Sequence, residues 1–157
     1  MTTMTAYRMV KTKHKDSAFD GEGARRCGGR WNSKGKQCVY VGELESVTTV
    51  EVLVHLNDQT TLNHYALFRI EIPEEKILRI DELPDDWRED PAPASTAQIG
   101  DAWLDSNESV ALLVPSAVCV RDHNLLLNPN HPDIDTIIET AEELEYWPDP
   151  RLGNGTE

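Results

Sequence analysis

Hydrophobic positions recur in short runs along the chain, and their spacing divides it into strands and helices. Residues 65–72 alternate: Ala66, Phe68, Ile70 and Ile72 share one face, and Arg69 and Glu71 fall on the other. That period of two predicts a half-buried strand, ended by Pro73, which has no amide hydrogen to give a ladder. Shorter apolar runs predict strands at 7–10, 38–41, 76–80, 109–114 and 117–120. Residues 43–56 are rich in β-branched side chains, which lowers helix propensity. Their length and the stripe Leu44, Val47, Glu51, Val54 at i, i+3, i+7, i+10 nevertheless predict a helix. A second helix is predicted over 134–144, with Asp133 and Asp135 near its positive end. Five of the nine glycines fall within 20–35, which predicts a loop. The Pro/Ala/Ser patch 91–97, after the acidic run 85–90, predicts a long surface loop, and 153–157 a frayed tail. Strands and helices interleave without regular βαβ spacing, so the expected class is α+β.

At 157 residues and 39% hydrophobic the chain suits one domain over 1–157. A chain of that size buries about 70% of its unfolded surface and needs no staple. Its apolar runs fall far short of the roughly 20 residues of a membrane-crossing helix, and residues 1–7 carry no apolar signal core. Cys27, Cys38 and Cys119 are an odd set without CxxC spacing, which predicts reduced thiols and a cytoplasmic, non-membrane protein. The net charge of −13 disfavours direct nucleic-acid binding. The charge is uneven. Residues 1–36 hold nine Lys/Arg against three acids, net +6, whereas 37–157 hold six against twenty-five, net −19. The basic stretch reads equally as a solvated loop or as a pocket for a small anion.

Candidate chemistry centres on three residues. Glu51 lies on the apolar stripe of its helix. A carboxylate turned to the core needs a partner, an arginine or a ligand group; turned to the rim, it reaches water. Arg30 lies in GGRWNSKG, where glycines allow a close backbone approach and the guanidinium can present a fork to phosphate or carboxylate. The plainer reading is a glycine turn with a surface arginine. Trp31 can anchor that loop and Asn32 can bond its own backbone. The segment matches neither GxGxxG nor the GxxxxGK[ST] loop. Ser116, after Pro115, is a turn former outside any GxSxG elbow. The histidines form no HExxH or Cys/His set, and Glu51 with His55 suggests no further ligands, so no metal is expected.

In chain order these residues make a pattern that resembles the RES domain family of toxins. The matching segments are YR at 7–8, GEGARRCGGRWNSKG at 21–35, VYV at 39–41, EVLVHL at 51–56 and GDAWL at 100–104. VPSAV at 114–118, NLLLNPNHP at 124–132 and DPRL at 149–152 complete it. The resemblance implies an ADP-ribosyltransferase-like fold of the diphtheria-toxin type, with small mixed sheets around an NAD cleft and flanking helices. It implies the toxin of a bacterial type II toxin–antitoxin pair that cleaves the nicotinamide–ribose bond of NAD+ by hydrolysis or phosphorolysis, or transfers ADP-ribose to a protein. A non-catalytic nucleotide- or antitoxin-binding module is the remaining alternative. NAD+ is then substrate, not cofactor. By position, Arg8 and Arg30 are the expected NAD contacts and Tyr40 the nicotinamide wall. Glu51 is the expected catalytic carboxylate, with Arg30 and Ser116 beside it in the site and Ser116 hydrogen-bonding there. The expected partner is a helix-turn-helix antitoxin of Xre type that blocks the cleft and carries the DNA contacts; the resemblance also allows a homodimer within that complex.

Overall fold

The computed structural model describes residues 2–56 and 61–152. Among these the strands are β1 (Thr3–Lys11), β2 (Val39–Gly42), β3 (Tyr65–Pro73), β4 (Ile77–Arg79), β5 (Ala111–Pro115), β6 (His123–Leu127) and β7 (Glu142–Leu144). The helices are α1 (Glu22–Cys27), α2 (Glu45–Leu53), α3 (Ala94–Ser106) and α4 (Ile134–Ile138). The strands form one mixed sheet in the order β4-β5-β6-β2-β1-β3-β7, antiparallel except for β4 against β5. β1 and β3 pair along their whole length, from Thr3 opposite Pro73 to Lys11 opposite Tyr65. β1 and β2 meet at one pair only, Tyr7 opposite Gly42. The α+β expectation holds, and the expected small sheets are two halves of one sheet joined at that pair.

One face of the sheet carries Ala6, Val39, Val41, Ile70 and Leu125, covered by Ile134 and Ile137 of α4. The opposite face carries two separate clusters. Trp31, Leu112 and Leu126 pack with Trp103 and Leu104 of α3, while Met9 and Leu67 pack with Val52 and Leu53 of α2. Between them lies a strip where Gly42 stands opposite Asn124, and Tyr40, two residues along β2, shares its face. The candidate site occupies that gap.

Several elements differ from the sequence expectation, each for a physical reason. The glycine-rich 20–35 is not all loop: α1 forms inside it, opened by Gly21 at φ 75 and closed by Gly28 at φ 72. The helix over 43–56 is shorter, and of the apolar positions in its stripe only Val47 faces the core. Val47, Thr48 and Thr49 are buried, while Leu44 and Val54 are 46% and 54% exposed. The two buried threonine hydroxyls are satisfied within the helix, each donating to the carbonyl four residues back, Thr48 to Leu44 at 2.8 Å and Thr49 to Glu45 at 2.9 Å. The loop placed at 91–97 gives way to α3 from Ala94, where Ile99, Trp103 and Leu104 supply the packing. Residues 117–120 form a turn, and the strand lies later, at β6. Leu125, Leu126 and Leu127 are all fully buried because both faces of that central strand are covered, which erases alternation. The helix over 134–144 ends at Ile138, and 142–144 becomes edge strand β7 against β3. The tail 153–157 lies outside the described residues.

Candidate active site

Glu51 leaves the last turn of α2 and reaches the end of the sheet. Its Oε2 accepts two hydrogen bonds of 2.7 Å, from the Ser116 hydroxyl and from the Asn124 side-chain amide. Three elements thus converge: α2, the turn after β5, and β6. Gly42 lets α2 sit this close, since a Cβ there would lie 2.3 Å from Thr48 Oγ1. Neither sequence reading of Glu51 is complete. The residue is half-buried at the rim, and its partners are neutral donors, not an arginine.

The proton of Ser116 has one direction available. Its fully buried Oγ accepts the backbone N–H groups of Val118 at 3.2 Å and Cys119 at 3.0 Å. With both lone pairs taken, the hydroxyl can only donate, and it donates to Glu51. Ser116 is therefore a clamp on the carboxylate. Both clamps act on Oε2, which leaves Oε1 as the oxygen to accept from a ligand hydroxyl. Asn124 heads the NLLLNPNHP motif, and a polar amide directly before a run of leucines is the sequence signal that marks it. The start of β6 is fixed beside it, because Glu43 Oε2 accepts the His123 N–H at 2.7 Å and lies 3.2 Å from its Nδ1. Ser116→Ala is expected to lower the unfolding free energy by roughly 1–3 kcal/mol, since two N–H groups lose their acceptor. A urea melt matching the wild type would show that this turn stands without the hydroxyl.

Arg30 is held separately. Its Nη1 donates to the carbonyls of Trp87 at 2.9 Å and Glu89 at 2.7 Å, while its own carbonyl accepts from Thr96 of α3 at 2.6 Å. The loop is built around Asn32, 1% exposed, whose amide donates to the carbonyls of Ala24, Ser33 and Lys36. The Ser33 N–H and hydroxyl donate to Asp101 of α3. Tyr40 closes the loop against the sheet: its hydroxyl donates to Asn32 Oδ1 at 2.6 Å and accepts from the Trp31 N–H at 3.1 Å. Burial raises that phenol well above its ordinary pKa, so it remains a neutral donor. Arg8 donates from Nε to the Ala18 carbonyl and from Nη1 to the Tyr40 carbonyl at 2.9 Å, beside the single-pair join of β1 and β2. Burial draws its pKa down to about 10, and it stays charged at neutral pH.

The structure thus brings Glu51 and Ser116 into direct contact and adds Asn124. It links Arg8, Tyr40 and the Arg30 loop through a second set of bonds on the neighbouring part of the sheet. No bond joins Arg30 to Glu51 directly among those described. Glu51 with its two clamps and the Arg30 loop with Tyr40 are thus two bonded groups carried by one sheet. The profile of the RES domain matches residues 5–149. The chain belongs to the RES domain family.

Its relatives carry the same reading. The RES chain is 42% identical over 151 residues to a protein named Toxin Res from Yersinia enterocolitica, covering 95% of this chain and 99% of the relative. It is 37% identical over 141 residues to a Prs ADP-ribosylating toxin from Sphingobium sp., covering 85% and 86%. Its fold is similar to a chain in the crystal structure of the M. tuberculosis MbcT–MbcA toxin–antitoxin complex, with a TM-score of 0.68 at 23% identity over 92% of this chain and 82% of that one. The protein is a toxin of the RES domain family with a mixed α+β fold. Among the described residues no helix is long and apolar enough to cross a membrane.

Proposed function

We propose that the Arg30 loop and Glu51 line a cleft that binds NAD+ and cleaves its nicotinamide–ribose bond. The observation that carries this is the Glu51 carboxylate held through one oxygen by Ser116 and Asn124, its second oxygen free of both. As the glycosidic C–N bond breaks, the electron pair leaves with nicotinamide and positive charge grows on the ribose, as in glycoside cleavage. A fixed carboxylate that accepts a ribose hydroxyl stabilises that charge, and costs no reorganisation because its clamps are already made. The acceptor then bonds to the ribose carbon and releases its proton. Arg30 and Arg8 supply the charge that two phosphates require, and Tyr40 a flat wall for nicotinamide.

Water or phosphate as acceptor makes the chain an NAD-depleting toxin in a type II pair. The likeness to a Prs ADP-ribosylating toxin favours a second reading, transfer to a protein side chain. Mass spectrometry of NAD+ incubated with the purified chain, with and without phosphate and cell lysate, tests both. Free nicotinamide with ADP-ribose or its 1″-phosphate supports depletion, and a labelled lysate protein supports transfer. NAD+ left intact under all conditions would defeat the catalytic reading in favour of a binding module.

The partner belongs to the same proposal. A body of net −19 over residues 37–157 repels DNA phosphates, which supports a helix-turn-helix antitoxin as the DNA-binding member. The likeness to a chain of a toxin–antitoxin complex supports the pairing. An antitoxin carboxylate can meet the arginines in place of a substrate phosphate and so block the cleft.

A further inference from the structure

Segment 84–90 bridges the two halves of the site. Trp87 packs its ring against the Trp31 cluster and turns its carbonyl to Arg30. The Nη1 of Arg30 carries two hydrogens, and the carbonyls of Trp87 and Glu89 use both. That fixes the plane of the guanidinium and leaves the Nε–Nη2 edge, with three hydrogens, for an anion. Between those two acceptors, Arg88 points elsewhere: its Nε donates at 2.9 Å to the carbonyl of Ala117. Ala117 directly follows Ser116, in the turn whose N–H groups aim the serine at Glu51. The segment has turn bonds of its own, Trp87 N–H to the Pro84 carbonyl and Glu89 N–H to the Asp86 carbonyl. Asp86 Oδ1 also accepts the Ser95 hydroxyl at 2.5 Å. Hence one short strap holds the arginine side chain at one end and, through Arg88, the serine turn at the other.

We propose that segment 84–90 is an alignment strap for Arg30 and that Arg88 is its positioning residue, acting on an anionic ligand through Arg30 without touching it. The functional part of this rests on the NAD reading of the cleft; the mechanical part does not. Without the Ala117 bond the strap is free to shift at its centre, and the two carbonyls no longer hold the guanidinium plane. A guanidinium that must be ordered on binding loses affinity, since the ordering cost falls on the ligand. Among the described bonds the Ala117 carbonyl receives one side-chain N–H, from Arg88, so a lysine ammonium can replace it.

The test has two arms. Titration calorimetry with ADP-ribose should show Arg88→Ala about tenfold weaker than wild type and Arg88→Lys within about threefold. In an Arg30→Ala background, Arg88→Ala should add less than about threefold, because coupled residues are not additive. Multiplicative losses in the double variant, or wild-type affinity in Arg88→Ala, would overturn the proposal. The second arm needs no ligand: amide hydrogen exchange at Trp87 and Glu89 should rise at least about tenfold in both Arg88→Ala and Arg30→Ala. If wild type binds no ADP-ribose, the NAD reading fails, and this arm alone decides the strap. Unchanged exchange in both variants would then overturn it, and raised exchange in both would uphold it.

Discussion

Glu51→Gln is expected to reduce NAD+ turnover, and with it toxicity, by roughly 100- to 1,000-fold, the usual cost of losing one preorganised electrostatic group. The substitution preserves shape. A glutamine carbonyl can still accept from Ser116 and Asn124, as Oε2 does at 2.7 Å from each. What it removes is the negative charge opposite the developing cation. The folded state should therefore survive, with a melting transition close to that of the wild type, while nicotinamide release measured by chromatography collapses. The comparison of Glu51→Gln with Glu51→Ala separates charge from scaffold. Alanine also removes the acceptor of two inward-facing donors, so it should lose stability as well as rate. Near-wild-type turnover in a folded Glu51→Gln protein would sink the assignment of this carboxylate.

Gly100→Ala is expected to destabilise the whole protein, although the same change in an ordinary helix position is favourable by about 0.5–1 kcal/mol. The reason is a close approach of α3 to the Arg30 loop. A Cβ on Gly100 would lie 1.6 Å from the Trp31 carbonyl oxygen and 2.7 Å from its carbon. These are backbone atoms, which cannot swing aside as a flexible side chain can. Overpacking of this kind costs about 1–3 kcal/mol and can cost more. The helix must lift, and with it the bonds from Thr96 to Arg30 and from Ser33 to Asp101. Both the unfolding midpoint and ligand affinity should fall together. Gly23→Ala is the control: Gly23 lies in α1 at ordinary φ with nothing within 4 Å of its would-be Cβ, so the change should be neutral or stabilising. Equal stability of the Gly100→Ala and Gly23→Ala proteins would refute the close approach.

The two glycines show where sequence reading stops. Both sit in helices and read alike as weak helix formers, yet one has open space and the other a carbonyl against it. The same limit applies to α3. Its period through Ile99, Trp103 and Leu104 was present, but Pro91 and Pro93 marked the segment as loop. Proline at the mouth of a helix is compatible with its start, because the first amides are unpaired in any case. For β6, three consecutive leucines carried no period, since a central strand covered on both sides does not alternate.

What the sequence by itself determined is the part that local chemistry encodes. The alternation of 65–72 made β3, and the glycine-rich turn around Arg30, the carboxylate Glu51 on an apolar stripe and the serine after Pro115 marked candidate site residues by type and order. The motif order placed the chain in its family. Only the tertiary structure decided what Glu51 meets. Ser116 and Asn124 are 65 and 73 residues away along the chain, and no periodicity relates them to it. The same holds for Arg30, whose acceptors Trp87 and Glu89 lie 57 and 59 residues on, in a stretch that sequence marked only as an acidic run. A strand or a turn follows from neighbours in sequence because the backbone has few conformations and side chains choose among them. A clamped carboxylate follows from which ends of which elements the core brings together, and that depends on packing over the whole sheet.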